Sequence, residues 1–503
     1  MIGSMTGNAP ASYRPAGELV AGPLDAYRGP WTERLAAHLA RRAGFGASPA
    51  ELARLSSSSL DAAVESFVKF PSTDQLASAP ELIDDEEQRR MEALNDRTMA
   101  GGRGFGAARF ALTPELRQEY RTKRREQSKA NITWWMTRML QTPAPLQEKM
   151  TLYLHGHFAT AENTKGIYGT DIVDQNDLFR RYALGDWQAL THDVARDRAM
   201  LKWLDNATSK KDHPNENFAR ELMELFTLGI GNYTEADVRE SARAFTGYTF
   251  SRKTGEFVFA AANHDDGTKT FLGHTGNFDG DAIIDIIFAQ PATAKYFAHR
   301  MLEFFVYTDP EPELVNAFAG LIRKNDFTML PVMSTLFRSN VFYSDRAYRA
   351  LVKSPIEFVV GSYRLFGVTE FPDTMIPVMQ RMGQVPFHPP SVKGWDGGAS
   401  WLNTQTVLAR ENFASTLMAT PSGGMSQRNF LMDGLPSSAQ VAAKKIVDTI
   451  LQGDASPKSM ADLEAYIDGK GTSADGMLSG ENVDERMRGA AYLTMAMPAY
   501  QLS

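Results

Sequence analysis

Apolar residues recur at helical spacing through two long stretches, 186–246 and 280–367, and this constrains the chain more than any other feature. Helices with that period bury one face against neighbouring helices and leave little room for sheet. The second stretch divides into helices over about 281–289, 292–305, 311–323, 328–337 and 355–366. The last has a full start signal: Ser354 can cap, Pro355 takes the first helical position and Glu357 can complete a capping box. Residues 31–70 read as two helices, broken at Gly44 and Gly46, with Ser48 and Pro49 opening the second. Between about 247 and 273 the period changes: Tyr248-Thr249-Phe250, Glu256 to Phe259 and Thr270 to Leu272 read as short strands. The expected fold is mainly α, a multi-helix globular array with a small β-hairpin insertion near residues 247–273.

Breaks in this pattern suggest the domain plan. Residues 1–30 read as a flexible N-terminal segment and 31–420 as the main helical domain. Within it, 72–128 reads as a charged, partly flexible insertion, with Asp84-Asp85-Glu86-Glu87 and Gly101-Gly102-Arg103-Gly104. Residues 421–437 read as a linker, and 438–503 as C-terminal helices packing on the main domain. Formal net charge is -7, without the overall basic footprint of a nucleic-acid binder. The basic run Arg121 to Arg125 reads as a solvated helix face. There is no cysteine, which excludes disulfides, thiolate nucleophiles and Cys-ligated metal sites. No stretch approaches the roughly 18 apolar residues of a membrane span. Met1 to Pro30 lacks a charged region followed by an apolar one, so as written the chain is expected to be cytoplasmic. Walker, G-x-S-x-G and H-E-x-x-H motifs are absent.

Three segments stand out: Leu146 to Phe158 (LQEKMTLYLHGHF), Asn215 to Phe245 (NENFARELMELFTLGIGNYTEADVRESARAF) and His264 to Gly273 (HDDGTKTFLG). With Arg41 to Gly46, Lys353 to Phe358 and Val392 to Gly398, and in this order, they resemble the bacterial family called domain of unknown function 1800. The resemblance spans about residues 33 to 500. It implies a mainly helical fold and no mechanism. It also implies that many relatives carry export signals. Relatives are often encoded beside a second uncharacterised family related to the alkaline phosphatase and sulfatase fold. The chain departs from the family at His155-Gly156-His157, where His-Asn-His is usual.

The residues themselves suggest chemistry. On a helix His155 and His157 point about 200° apart, whereas on an extended segment they share a face suited to a metal. Glu216, Arg220 and Glu224 are spaced i, i+4, i+8 on a helix that Asn215 can cap and Gly229 can stop. Such a ladder is either a salt-bridge row or a polar network lining a cleft, with Glu221 on the next stripe. Arg243 follows on the next helix, placed to pair with Glu221 or Glu224. In the loop His264-Asp265-Asp266-Gly267-Thr268-Lys269, His264 beside Asp265 can bind metal or act as an acid/base, and Lys269 offers a cation. The competing reading is a hairpin whose Asp-Gly fixes the turn. Trp395 and Trp401 with His388 supply aromatics to a loop, as a stacking platform or as a plug on the core.

Two functions follow. One is a hydrolase-like or metal-dependent enzyme, with Glu216, Arg220, Glu221, His264, Asp265 and Lys269 as acid/base and binding groups. In that reading His155, His157 and His264 are ligands to a divalent metal. The other is a non-catalytic scaffold or binding partner of the neighbour-encoded phosphatase- or sulfatase-like protein. The enzyme reading requires these groups to meet around one open cleft.

Overall fold

Ser354 and Glu357 close a capping box at the head of helix Pro355–Leu365, and Ser48 with Glu51 does the same for Pro49–Ser56. Each box satisfies backbone N–H groups that a helix start leaves free. A computed structural model of the chain describes residues 22–84, 86–88, 113–419, 438–469 and 483–503. Most of the expected flexible N-terminal segment, much of the charged insertion and the 421–437 linker therefore lie outside the described residues. The insertion's last part is helix: Thr113 caps a 28-residue helix, Pro114–Gln141, that runs straight through the boundary drawn at 128.

The fold is mainly helical with two small antiparallel sheets among the described residues. β1 (Tyr248–Phe250) pairs with β2 (Phe257–Phe259), and Tyr248 faces Phe259 across the ladder. β3 (Lys269–Phe271) pairs with β4 (His274–Gly276). The expected insertion is thus two hairpins, and the second extends to residue 276. Its turn is Leu272-Gly273, both at positive φ (46° and 80°), which suits the right-handed twist of a two-residue hairpin. Asp266-Gly267 lies ahead of this hairpin and does not form its turn.

Two hydrophobic cores form. The first gathers the helices of residues 33–68 with those between 145 and 347. The second joins Ile132, Trp135 and Met136 of the long helix to helix Pro355–Leu365 and the C-terminal helices. Helix Pro145–His157 lies between them: Met150 and Leu154 enter the first core, Leu152 the second. Beneath it Glu148, fully buried, accepts from Arg138 Nε (2.7 Å), Arg180 Nε (2.8 Å) and Trp135 Nε1 (2.9 Å). Among the described residues no helix is long and apolar enough to cross a membrane.

Candidate functional site

The two histidines of the His-Gly-His segment are both helical and sit on opposite sides of the helix. His157 enters the first core, stacked on Tyr153, and its Nε2–H donates to Phe226 O (2.9 Å). His155 enters the second, against Trp135 and Phe387, and its Nε2 accepts from Phe387 N–H (3.1 Å). Burial pushes both imidazoles down to about 3, so each is neutral at physiological pH. A Cβ on Gly156 would meet nothing within 4 Å.

The Phe226 carbonyl is free because it lies in the last turn of its helix, and that turn carries an irregularity no sequence rule revealed. Helix Glu216–Glu221, capped by Asn215 as expected, passes into a π-helical turn, Leu222–Thr227. Tyr296 Oη donates to Leu225 O (2.6 Å) and His157 to Phe226 O, so tertiary donors satisfy this turn. The extra residue per turn takes Glu224 off the expected stripe, where it accepts from Tyr233 Oη (2.9 Å). Arg220 instead pairs with Glu235 (2.7 Å) and Glu216 (3.3 Å) on the surface, an exchange worth tenths of a kcal/mol. Glu221 is half-buried, and burial, then Glu224, raises its pKa. It forms no ion pair among the described residues.

The His264–Lys269 loop is a third, separate arrangement. Arg243 pairs not with the preceding helix but with Asp265, through Nε (2.7 Å) and Nη2 (3.1 Å), and with Glu240 (2.8 Å). The Arg243 fork holds the Asp265 carboxyl below its usual range. His264 is 6% exposed and donates from Nδ1 to Thr246 O (2.9 Å). Lys269 is 1% exposed and its ammonium closes the loop on the Asp265 (2.5 Å) and Gly267 (3.1 Å) carbonyls. These contacts lock the loop to the preceding helix. Glu216, Arg220, Glu221, His264, Asp265 and Lys269 therefore do not share a cleft with His155 and His157. Nor, among the described residues, do three His, Asp or Glu side chains gather to hold a metal.

A different cleft has the needed features. It measures about 640 Å³, within the range of small-molecule sites. One wall is the long helix, which presents Arg121, Arg124, Arg125, Ser128, Lys129 and Ile132 at i, i+3, i+4, i+7, i+8 and i+11, a single face. The basic run read as a solvated surface thus lines a cavity. Facing it are Gln380 of helix Ile376–Met382, then Val385, His388 and Trp395, with Tyr168 at one end. The lining holds four cations and no carboxylate among the described residues. Arg124 lies 3.7 Å over the Tyr168 ring.

Behind this wall lies a short hydrogen-bonded chain. Ser128 Oγ–H donates to Glu162 Oε2 (2.6 Å), and His388 Nε2 lies 3.2 Å from the same hydroxyl. When Glu162 is ionised the serine gives its one proton to the carboxylate, and His388 Nε2–H is then the donor to Ser128. Asn131 donates to Glu162 Oε1 (3.4 Å). Burial pushes Glu162 up to about 7, with no cation in contact to oppose it. His388 is about a third exposed (35%), and burial lowers its pKa.

Backbone strain holds His388 in place. Phe387 adopts φ 66°, a left-handed conformation costly for an aromatic residue. Three anchors hold it: its N–H on His155, its carbonyl receiving Glu162 N–H (2.8 Å), and its ring stacked on Trp135 at 4.9 Å. His155 therefore braces the Phe387 backbone, one residue before His388. Gly394, at φ 81°, packs so tightly on Gly156 that an added Cβ would collide with the Gly156 carbonyl. That approach seats Trp395 at 5.6 Å from His155, part plug and part cleft wall. His155→Leu should leave the buried Phe387 N–H unpaired and cost about 1–3 kcal/mol, measured by urea unfolding.

Glu162 also gives a pH signature. The folded protein keeps this proton between pH 4.5 and about 7, where the unfolded chain has released it. Its contribution is complete below pH 4.5 and is lost as pH rises through 7. The stability difference between wild type and Glu162→Gln should fall by about 3 kcal/mol across that window, and a flat difference would contradict the raised pKa.

A mainly helical protein with two cores and a basic cleft over a buried carboxyl is the class these features define. The chain belongs to the family described as Protein of unknown function (DUF1800), which matches residues 38–502. No curated protein and no solved structure matches it.

Proposed function

We propose that the chain is a hydrolase-like acid–base enzyme for an anionic substrate bound in the Arg121–Arg124–Arg125 cleft. The observation that carries this reading is the unbroken line His388–Ser128–Glu162, with distances of 3.2 and 2.6 Å, opening on a cavity lined by cations. His388 Nδ1 takes a proton from a water or hydroxyl in the cleft. Nε2 passes its proton to Ser128, and Ser128 passes its own to the Glu162 carboxylate. One proton enters and one is stored, and the imidazole ends neutral. A carboxyl near 7 suits both acceptance and return of that proton at neutral pH. The arginines supply charge complementarity to phosphate, sulfate or carboxylate groups.

The test pairs binding with turnover. Quenching of Trp395 fluorescence, with Trp395→Phe as control, reports ligands entering the cleft. Chromogenic phosphate, sulfate and uronate esters report hydrolysis. Turnover by wild type, lost in His388→Gln with quenching retained, supports the enzyme. Quenching with no turnover of any ester would instead favour a binding protein using the same cations, the counterpart of the scaffold reading.

A further inference from the structure

Six buried or nearly buried cations cluster where the first helix meets the C-terminal segments: Arg41, Arg42, Lys149, Arg349, Lys353 and Arg410. The carboxylates among them are already engaged. Glu357 pairs with Lys149 and accepts from Ser354 N–H (2.7 Å). Asp454 accepts from Arg349 Nε (2.6 Å), Tyr348 Oη (2.5 Å) and Arg34 Nε (3.2 Å). Lys353 Nζ donates to Tyr500 O (2.6 Å), and Arg349 Nη2 to Leu451 O (2.9 Å). Arg41 is different. It is 8% exposed, and Nη1 reaches Gln452 Oε1 at 2.6 Å, but Nε and Nη2 are buried with no acceptor.

Arg41 borders a cavity of about 50 Å³, lined also by Arg349, Lys353, Gln452, Tyr500, Ser503 and Glu357, the last already paired with Lys149. A guanidinium keeps its charge at any ordinary pH, and a buried charge without acceptors is costly. The Nε and Nη2 edge of a guanidinium matches two oxygens of one oxyanion. The cavity has room for about three or four water-sized atoms, which admits a small oxyanion and excludes a nucleotide or sugar.

We propose that this cavity is a binding site for a small inorganic oxyanion, phosphate or sulfate, held by the Arg41 fork between Arg349 and Lys353. It is separate from the cleft and does not depend on the proposed enzymatic activity. Bound there, the ion links the first helix, which packs in the first core, to Tyr500 and Gln452 at the C-terminal helices of the second. Occupancy would therefore set how firmly those helices stay docked.

Equilibrium binding of radiolabelled phosphate to the full chain, with sulfate as competitor, tests the site. Expected is saturable binding at this site, displaced by sulfate and accompanied by a Tm rise that saturates with it. Arg41→Met should remove one saturable phosphate site together with the Tm rise, Arg41→Lys should weaken that site at least about tenfold by losing the fork, and the cleft variant Arg124→Gln should keep both, whether or not the cleft adds a second phosphate site. A Tm that climbs only linearly with sulfate, without saturable binding, is the general effect of an excluded salt and overturns the proposal. Loss in Arg124→Gln with retention in Arg41→Met places the ion in the cleft and also overturns it. Should Arg41→Met not fold, Lys353→Met and the wild-type binding isotherm carry the same decision.

Discussion

Glu162→Gln should lower turnover in the basic cleft by about 10²- to 10⁴-fold, the range for loss of one acid/base group, while leaving ligand affinity nearly unchanged. The amide keeps the carboxylate's shape and can still accept from Ser128, so the wall of the cleft is preserved. It cannot take the proton that Ser128 hands on. The pH profile provides a second reading. Because burial pushes Glu162 up to about 7, wild-type kcat/KM should rise with pH until the carboxyl is ionised near that value. Residual activity in Glu162→Gln should lack this limb. Arg124→Gln should raise KM and spare kcat, because Arg124 meets the ligand and not the proton. Wild-type turnover in Glu162→Gln would remove the acid–base reading and leave the cleft as a binding site.

Glu148→Ala should cost about 3–5 kcal/mol of folding free energy, read as a lower urea midpoint. Burial alone would raise this carboxyl's pKa, but Arg180 and Arg138 hold it below the usual range. Truncation leaves two guanidinium groups and the Trp135 indole N–H beneath the second core without their shared acceptor. The largest part of the loss is the uncompensated charge and not the missing pair. A double variant, Glu148→Leu with Arg180→Met, should accordingly recover part of it. A loss below about 1 kcal/mol in the single variant would mean that water reaches Arg138 and Arg180 once the carboxylate is gone.

The contrast between these two carboxylates shows where sequence reading stops. Both follow or lie on the helix that carries the His-Gly-His segment, and nothing in their neighbours along the chain distinguishes them. Glu148 meets two arginines brought from positions 138 and 180, so it is ionised and structural. Glu162 is buried beside a serine and an amide with no arginine in contact, so burial holds its proton to about 7. The basic run is a similar case. Arg121, Arg124, Arg125, Ser128 and Lys129 keep a helical period that was visible in the sequence. Only the 383–395 segment folding across them turns a surface stripe into a cleft. The His264 loop shows the reverse: His, Asp and Lys looked like chemistry, and Arg243 and two backbone carbonyls account for the Asp and Lys.

Local rules alone determined the helical class, the change of period near 247, and the caps at Ser48, Asn215 and Ser354. These depend on interactions spanning a few residues, which the order of residues states directly. The opposed directions of His155 and His157 follow from the helical repeat as well. Tertiary structure alone decided which core each histidine enters, that residues 222–227 wind as a π-turn, and that Phe387 is held at positive φ beside His388. It also decided that Ser128, Glu162 and His388 meet. Hydrogen bonding at 2.6–3.2 Å between residues 34 and 260 positions apart depends on packing, and no spacing in the chain encodes it.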